Sequence, residues 1–271
     1  MNRLTLLDQP FALAAGQIDE YRRSGAIHLP RVLDAETLSS VRSTIRRLTR
    51  EGDRATQPLN ERDTYGRAFT QVFNLWRRDA LARALAFSAR LAGIATELMG
   101  CSGVRMYHDQ ALFKEAGGGH TPWHCDQFYW PVDTDNTITA WIPMQATPLE
   151  MGPLAFAKGS HTLEAGRGLS ISDESEQLLG EMLEDYPHEE APFDLGDVSF
   201  HAGWVYHHAR GNSTDSPREV FTIIYLDKDA RLRAPASPFE AFEARTWCPG
   251  VEPGELIDSD INPVLYERAS S

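Results

Sequence analysis

The chain changes in character near residue 100, and this change constrains its fold more than any other feature. Before it, apolar residues recur at helical spacing; after it, short β-branched or aromatic runs are separated by clusters of Gly, Pro and Asn. Short runs punctuated in this way are typical of antiparallel β-sandwiches and barrels. They occupy residues 104–113, 137–146, 154–157, 197–201, 205–208 and 219–226. We therefore predict a mainly β protein with flanking N-terminal helices.

The first hundred residues predict helices. Asp34 is of the type that caps a helix N-terminus, and apolar residues follow it at helical spacing. A short amphipathic stretch at 17–23 precedes it, with an extended segment at 26–29, and a second long helix is predicted from about residue 81 to 98. The apolar positions after Asp34 are Leu38, Val41, Ile45 and Leu48.

The domain organisation follows from length and composition. The 271 residues are 42% hydrophobic, which is enough for one sizeable core, and no stretch rich in Pro, Gly or Ser divides them. We predict one domain spanning residues 1–271. It comprises a helical part at about 1–101, a β-core at about 102–230 and a C-terminal extension at 231–271.

The net charge of −13 bears on the partners of the protein. An acidic chain disfavours nucleic acid and anionic membrane surfaces, because it offers no excess of cations to phosphate groups. No apolar run approaches the roughly 20 residues of a membrane span, and Asp8 and Pro10 interrupt the N-terminal apolar stretch, which argues against a signal peptide. Three widely spaced cysteines fit a reducing compartment. We expect a cytoplasmic protein without nucleic-acid or membrane partners.

Most of the excess negative charge lies in one segment. No Lys or Arg occurs between Arg167 and Arg210, whereas ten Asp and Glu residues do. A solvated surface is the ordinary interpretation of such a run. A mobile cover over a binding site, formed by residues 171–195, is the alternative, because long loops in compact domains are often functional.

The densest chemical pattern is W-H-C-D-Q-F-Y-W-P at residues 123–131. In an extended strand, His124 and Asp126 would point to the same face, because side chains alternate. One imidazole nitrogen and one carboxylate oxygen are two ligands of the two-His-one-carboxylate site that binds non-haem Fe(II). An H-x-D pair alone is a weak signal and also describes a surface His–Asp pair. A second histidine is needed, and His201, His207 and His208 compete for that position.

The order of motifs resembles the phytanoyl-CoA dioxygenase family of Fe(II)- and 2-oxoglutarate-dependent oxygenases. The likeness covers about residues 17 to 230. The matching segments are H-C-D-Q-F-Y-W-P at 124–131, A-W-I-P-M at 140–144, G-P-L at 152–154, G-S-H at 159–161, G-D-V-S-F-H at 196–201, H-H-A-R-G-N at 207–212 and Arg218. The resemblance implies a double-stranded β-helix, that is, a jelly-roll or cupin-like core.

The resemblance also implies roles for individual residues. The family places Asn five residues and Arg eleven residues after the distal histidine, and Asn212 and Arg218 both select His207. His124, Asp126 and His207 would then hold Fe(II), O₂ would be the oxidant, and 2-oxoglutarate would be the cosubstrate. Arg218 would bind its distal carboxylate through two parallel hydrogen bonds. Gln71, Gln110 and Trp141 match positions that line the cosubstrate pocket.

The chain departs from the family pattern at two positions. Ala209 stands where the family usually has a hydroxyl residue, and Gln71 replaces a basic residue. By contrast, Asp126 is retained, whereas related halogenases have Gly or Ala there to admit chloride. The resemblance therefore favours hydroxylation, although desaturation, epoxidation or rearrangement use the same triad.

The sequence says less about the identity of the substrate than about the cofactor and the cosubstrate. Phe128, Tyr129, Trp130 and Trp204 are predicted to line the pocket of a small-molecule substrate, because aromatic side chains commonly line apolar pockets. The acidic segment disfavours a polyphosphate handle such as a CoA thioester. A metal-binding jelly roll without oxygenase activity, holding Zn²⁺ or Ni²⁺, and a jelly roll that has lost its chemistry are the alternatives. Either a monomer or a homodimer fits the family.

Overall fold

The computed structural model describes residues 4–55 and 57–269, and it confirms a mainly β fold. Most of the long strands coincide with the predicted β-branched and aromatic runs. The strands are β1 (Ala26–Leu29), β2 (Thr70–Phe73), β3 (Gly103–Lys114), β4 (Thr121–His124), β5 (Thr137–Pro143), β6 (Leu154–Ala157), β7 (His188–Glu190), β8 (Val198–Ala202), β9 (His207–Ala209), β10 (Arg218–Asp227) and β11 (Val264–Glu267).

These strands build two antiparallel sheets. The larger has the order β1-β8-β5-β10-β3-β11, with β2 also paired to β3, and the smaller has the order β4-β9-β6-β7. The sheets face each other, because Trp141 and Val220 of the larger pack in one buried cluster with Phe156 and Ala209 of the smaller. This arrangement confirms the predicted jelly-roll core.

Helices pack against both sheets of the core. The α-helices are α1 (Ala15–Ser24), α2 (Ala35–Gly52), α3 (Thr64–Ala68), α4 (Ala80–Ala86), α5 (Ala89–Met99), α6 (Asp173–Met182) and α7 (Pro238–Trp247). Helix α2 begins as expected, since the Asp34 carboxylate accepts from the Thr37 amide at 2.6 Å. Its apolar stripe packs with Phe221 and Ile223 of β10 in the main core.

The prediction of one helix over 81–98 was wrong. The chain forms α4 and α5 instead, and the break falls at Phe87 and Ser88. The Ser88 hydroxyl accepts from the Leu91 amide at 3.3 Å and so caps a new helix. A side-chain cap of this kind competes with continuation of the preceding helix.

The alternation along β10 determines which side chain enters the space between the sheets. Glu219 faces outward, where Arg42 and Arg46 of α2 contact its carboxylate at 2.8 and 2.7 Å. Because neighbouring residues of a strand face opposite ways, Arg218 points inward. The ion pairs on the outer face therefore fix the strand that delivers Arg218 to the interior.

Both flanking parts of the chain contribute to the larger sheet. Strands β1 and β2 come from the helical part, and β11 comes from the C-terminal extension. Trp247 and Cys248 also pack against Tyr107 and Ile224 of the sheet. The proposed division at residues 101 and 230 stays a prediction. Across residues 4–55 and 57–269, no helix is long and apolar enough to cross a membrane.

Candidate active site

A cavity between the two sheets brings together the residues that the motifs singled out. It is closed on one side by β4 and β9 and on the other by β3, β5 and β10. Its lining residues are Tyr65, Phe69, Gln71, Gln110, Leu112, Thr121, His124, Asp126, Thr139, Trp141, Leu154, Ile171, His201, His207, Arg218 and Thr222.

His124 and His207 are directly opposite each other on the paired strands β4 and β9. Each imidazole places Nε2 at 3.7 Å from Asp126 Oδ1. Each Nδ1 contacts a backbone carbonyl, at 2.7 Å for His124 and 3.1 Å for His207, so the proton lies on Nδ1. The two Nε2 lone pairs are therefore free. Three ligand atoms, one from each residue, lie within 4.8 Å of one another and could hold a metal ion.

The expectation that His124 and Asp126 share one face of a strand needs correction. Strand β4 ends at His124, and Asp126 begins a 3₁₀ turn that runs to Tyr129. The carboxylate reaches the histidines because the chain turns after Cys125, not because side chains alternate. The close approach of the two residues is as predicted, but its structural cause differs.

His201 and Thr139 hold the other carboxylate oxygen of Asp126. The His201 Nε2 lies 3.2 Å and the Thr139 Oγ1 3.1 Å from Asp126 Oδ2. These two donors orient the carboxylate so that Oδ1 faces the free nitrogens of His124 and His207. His201, which the sequence left as a non-ligand, is thus a positioning residue for Asp126.

The protonation states suit a divalent cation. Burial lowers the pKa of His124 and of His207, which favours neutral imidazoles. Burial alone would raise the pKa of Asp126, but His207 and the hydrogen bond from His201 bring it below its usual range. Two neutral imidazoles and one carboxylate match the ligand set of non-haem Fe(II).

Replacement of His201 tests its positioning role. We expect His201→Phe to weaken Fe(II) affinity by about 10- to 100-fold, the usual loss when a partner of a metal ligand is removed. His201→Gln should retain part of the affinity, because its amide can still donate to Asp126. Fe(II) titration against a competing chelator measures this loss, and thermal unfolding monitors the fold. Unchanged affinity in a folded His201→Phe protein would contradict the assignment.

Arg218 is a buried cation without an acidic partner. Its side chain is 1% exposed, and Nη1 donates to the Gly152 carbonyl, while Nε has no partner among residues 4–55 and 57–269. Burial lowers its pKa to about 9. Within the described residues, no carboxylate forms an ion pair with it. A buried charge is costly unless it is paired, so this guanidinium fits an anionic ligand in the cavity.

The remaining predicted cosubstrate residues also line the cavity. Trp141 lies beside Arg218, with the guanidinium carbon 5.5 Å from the centre of the indole ring, and its Nε1 has no partner. Gln71 donates to Gln110 at 2.5 Å and accepts from the Tyr65 hydroxyl at 2.5 Å. Tyr65, Gln71 and Gln110 are therefore linked by hydrogen bonds along the wall of the cavity.

A family model confirms what this geometry indicates. Residues 21–220 match the model described as phytanoyl-CoA dioxygenase (PhyH). The chain belongs to the phytanoyl-CoA dioxygenase family. Members of this family are non-haem Fe(II)- and 2-oxoglutarate-dependent dioxygenases, and the chain is one of them. Iron, 2-oxoglutarate and O₂ are accordingly its cofactor, cosubstrate and oxidant.

Individual relatives agree with this family membership. An ectoine dioxygenase of Halomonas elongata is 23% identical over 268 residues, which cover 92% of this chain and 79% of the relative. The solved structure of the non-haem α-ketoglutarate-dependent carbocyclase SnoK from nogalamycin biosynthesis is similar, with 25% identity and a TM-score of 0.78. The match covers 94% of this chain and 99% of SnoK.

A further similar structure contains the relevant ligands. It is the epimerase SnoN in complex with Fe³⁺, α-ketoglutarate and nogalamycin RO, at 28% identity and a TM-score of 0.76. The match covers 93% of this chain and 98% of SnoN. In the present chain, the free Nε2 atoms of His124 and His207 fit an iron ion, and the buried Arg218 fits the carboxylate of 2-oxoglutarate.

The four aromatic residues predicted for the substrate pocket do not line this cavity. Phe128, Trp130 and Trp204 line a separate surface groove, where the Trp204 indole donates to Asp135 at 2.7 Å. Tyr129 lies nearer, since its hydroxyl accepts from the Ile171 amide at 2.9 Å and Ile171 lines the cavity. Their part in substrate binding stays a prediction.

Several lining residues were missed from the sequence. Thr139 and Phe69 precede Trp141 and Gln71 by two positions, so strand alternation would have found both. Thr121 precedes His124 by three positions, which alternation assigns to the opposite face. A local irregularity in β4 brings it into the cavity, and no sequence signal revealed that irregularity.

The acidic segment begins at the wall of the cavity. Ile171 lines the cavity, and α6 then packs Leu179 against Trp123 and Tyr206. The Glu176 carboxylate accepts from the Trp123 amide at 2.8 Å. The segment therefore lies over β4, beside the candidate metal ligands. Its role as a mobile cover stays a prediction.

Proposed function

We propose that the protein hydroxylates an unactivated C–H bond of a small-molecule metabolite. One oxygen atom of O₂ enters the substrate and the other enters succinate, while the C1 carboxylate of 2-oxoglutarate leaves as CO₂. The observation that carries the proposal is one cavity that combines the His124–Asp126–His207 triad with the buried, unpaired Arg218.

Different residues of the cavity would bind the iron and the cosubstrate. His124, Asp126 and His207 would hold iron, which supplies the chemistry that couples decarboxylation of 2-oxoglutarate to the reduction of O₂. Arg218 would bind the distal carboxylate and thereby fix the orientation of the cosubstrate. Trp141 forms the wall beside that carboxylate.

The retained carboxylate supports hydroxylation over halogenation. Asp126 occupies its place in the triad, and its orientation is fixed by Thr139 and His201. A halide would need that coordination position. The retained Asp126 therefore favours hydroxylation over halogenation, whereas rearrangement uses the same triad.

A second candidate is a rearrangement in secondary metabolism. It is favoured by the similarity to SnoK, described as a carbocyclase, and to SnoN, described as an epimerase. Ring closure removes a pair of hydrogen atoms from the substrate, and epimerisation leaves its composition unchanged. Of hydroxylation, ring closure and epimerisation, hydroxylation alone adds an oxygen atom, so the composition of the product separates these three reactions.

The entrance of the cavity supports a neutral or cationic substrate with apolar surface. Tyr65, Phe69 and Gln71 line both the cavity and a wide open groove on the surface. The rings of Tyr65 and Phe69 lie 5.2 Å apart, edge to face. The acidic segment begins at the same wall and would repel a polyphosphate group.

The cellular compartment and the partners of the enzyme are also part of the proposal. All three cysteines are free and buried, which supports a reducing compartment such as the cytoplasm. The net charge of −13 supports a diffusible small-molecule partner rather than nucleic acid or a membrane. Either a monomer or a homodimer is compatible with this function.

The proposed function is tested by screening metabolites for coupled succinate release. The Fe(II)-loaded protein is incubated with 2-oxoglutarate, ¹⁸O₂ and a panel of neutral, cationic and CoA-linked compounds. We expect a neutral or cationic compound to stimulate succinate release and to gain one ¹⁸O atom by mass spectrometry. A product that lacks the label, with or without loss of hydrogen, would contradict hydroxylation and support the rearrangement. The Asp126→Ala protein is the inactive control.

A further inference from the structure

A bulge in β4 brings an unassigned hydroxyl group to the cosubstrate end of the cavity. Thr121 pairs with Ala209, and His124 pairs with His207. Two residues lie between these positions on β4, but only one lies between them on β9. The extra residue is a β-bulge, which redirects side chains. As a result, Thr121 and His124 both line the cavity although three positions separate them.

The position of Thr121 is informative because of its partner. Ala209 stands two residues after His207, where the family usually has a hydroxyl residue. Thr121 lies directly across the sheet from it and lines the same cavity as Arg218. The Thr121 hydroxyl of β4 thus lies near the position where the family usually has a hydroxyl on the strand that corresponds to β9.

The contacts of Thr121 leave its proton available. The Lys114 ammonium donates to Thr121 Oγ1 at 3.4 Å and also donates to the Gly119 carbonyl. Because Lys114 donates to the oxygen, the hydroxyl proton is directed elsewhere. In the described part of the chain, the Thr121 hydroxyl donates to no protein acceptor, and its side chain is buried. The hydroxyl proton can therefore point into the cavity that Thr121 lines.

The charges around Thr121 favour an anion. Lys114 is fully buried and lies opposite Arg218 in the register of β3 and β10. Burial, together with the charge of Arg218, lowers the pKa of Lys114 to about 6. No carboxylate among residues 4–55 and 57–269 forms an ion pair with either side chain. A bound carboxylate would offset the positive charge of Arg218 at this end of the cavity, and its negative charge would favour the protonated form of Lys114.

We propose that Thr121 donates a hydrogen bond to the distal carboxylate of 2-oxoglutarate, beside Arg218, and replaces the hydroxyl that Ala209 lacks. This inference rests on the proposed function, because it concerns the cosubstrate of the same site. It assigns a binding role to a residue that strand alternation places on the wrong face.

The test compares two keto acids on the anaerobic, Fe(II)-loaded protein by calorimetric titration. 2-Oxoglutarate has the distal carboxylate, and 2-oxopentanoate has the same chain length without it. We expect Thr121→Val to raise the Kd for 2-oxoglutarate about tenfold or more, because a hydrogen bond to a charged group is lost. The Kd for 2-oxopentanoate should stay within about twofold. Thr121→Ser should bind 2-oxoglutarate as the wild type does.

A second variant tests the geometry of the replacement. In the Thr121→Val protein, the further change Ala209→Ser supplies a hydroxyl from the opposite strand and should recover most of the affinity for 2-oxoglutarate. Equal losses for both keto acids, no loss for either, or failure of Thr121→Ser to bind normally would overturn the inference. If the wild type binds neither keto acid, the proposed function itself fails, which is a distinguishable result.

Discussion

Replacement of His207 by alanine is expected to abolish stoichiometric Fe(II) binding and to lower succinate formation by at least about a thousandfold. His207 is one of the three proposed protein ligands, and His124 and Asp126 alone would not fix the geometry of the metal. Anaerobic Fe(II) titration measures the binding, and succinate formation measures the activity. Retention of tight Fe(II) binding by a folded His207→Ala protein would exclude His207 as a ligand.

The neighbouring residue provides a matched control. His208 points away from the cavity and stacks on Trp123, with ring centres 4.1 Å apart. His208→Ala is therefore expected to keep Fe(II) affinity within about threefold of the wild type, since it removes packing but no metal ligand. A comparable loss in both variants would mean that the strand, rather than the His207 imidazole, determines binding.

Replacement of Arg218 by methionine should separate cosubstrate binding from iron binding. The guanidinium is buried beside Trp141, and no carboxylate of the described residues forms an ion pair with it. Its removal is expected to raise the Kd for 2-oxoglutarate by about a hundredfold, in line with the loss of a buried, hydrogen-bonded charge pair. Fe(II) affinity should change little, because Arg218 is not a ligand. Anaerobic calorimetry with each ligand in turn gives both values.

The control for this prediction is an exposed arginine close in sequence. The Arg210 side chain is 67% exposed and pairs with Glu190 on the surface. Arg210→Ala removes the same formal charge and should leave the Kd for 2-oxoglutarate nearly unchanged, because solvent screens exposed charges. Equal weakening in the Arg210 and Arg218 variants would show a general effect of net charge. Parallel loss of Fe(II) binding in Arg218→Met would show a structural role.

The residues proposed to hold the cofactor could be singled out because short spacings and family order specify them. His207 was selected from His201, His207 and His208 by its sequence spacing to Asn212 and Arg218, and the structure brings it opposite His124. The resemblance implied that Arg218 binds the distal carboxylate of the cosubstrate, and its side chain is buried without an acidic partner among the described residues. The mainly β fold class could be predicted because short β-branched and aromatic runs, separated by turn residues, are recognisable from the local sequence.

The features that escaped prediction depend on contacts between distant segments. The orientation of Asp126 comes from a turn and from donors on β5 and β8, and the direction of Thr121 comes from a bulge. Neither has a local sequence signal. The aromatic residues near the motif were ambiguous because an aromatic side chain serves a core, a groove or a pocket equally well. Trp130, for example, packs in the cluster that includes Tyr107 and Trp247.

One spectroscopic measurement tests the central claim most directly. Anaerobic addition of Fe(II) and then 2-oxoglutarate to the wild-type protein should produce the visible charge-transfer band of an iron-bound keto acid. The band should be absent from the His207→Ala and Asp126→Ala proteins and should require much more 2-oxoglutarate in Arg218→Met. Absence of the band from the folded wild type, or its persistence without change in the His207→Ala and Asp126→Ala proteins, would contradict the assignment of this cavity as the iron and 2-oxoglutarate site.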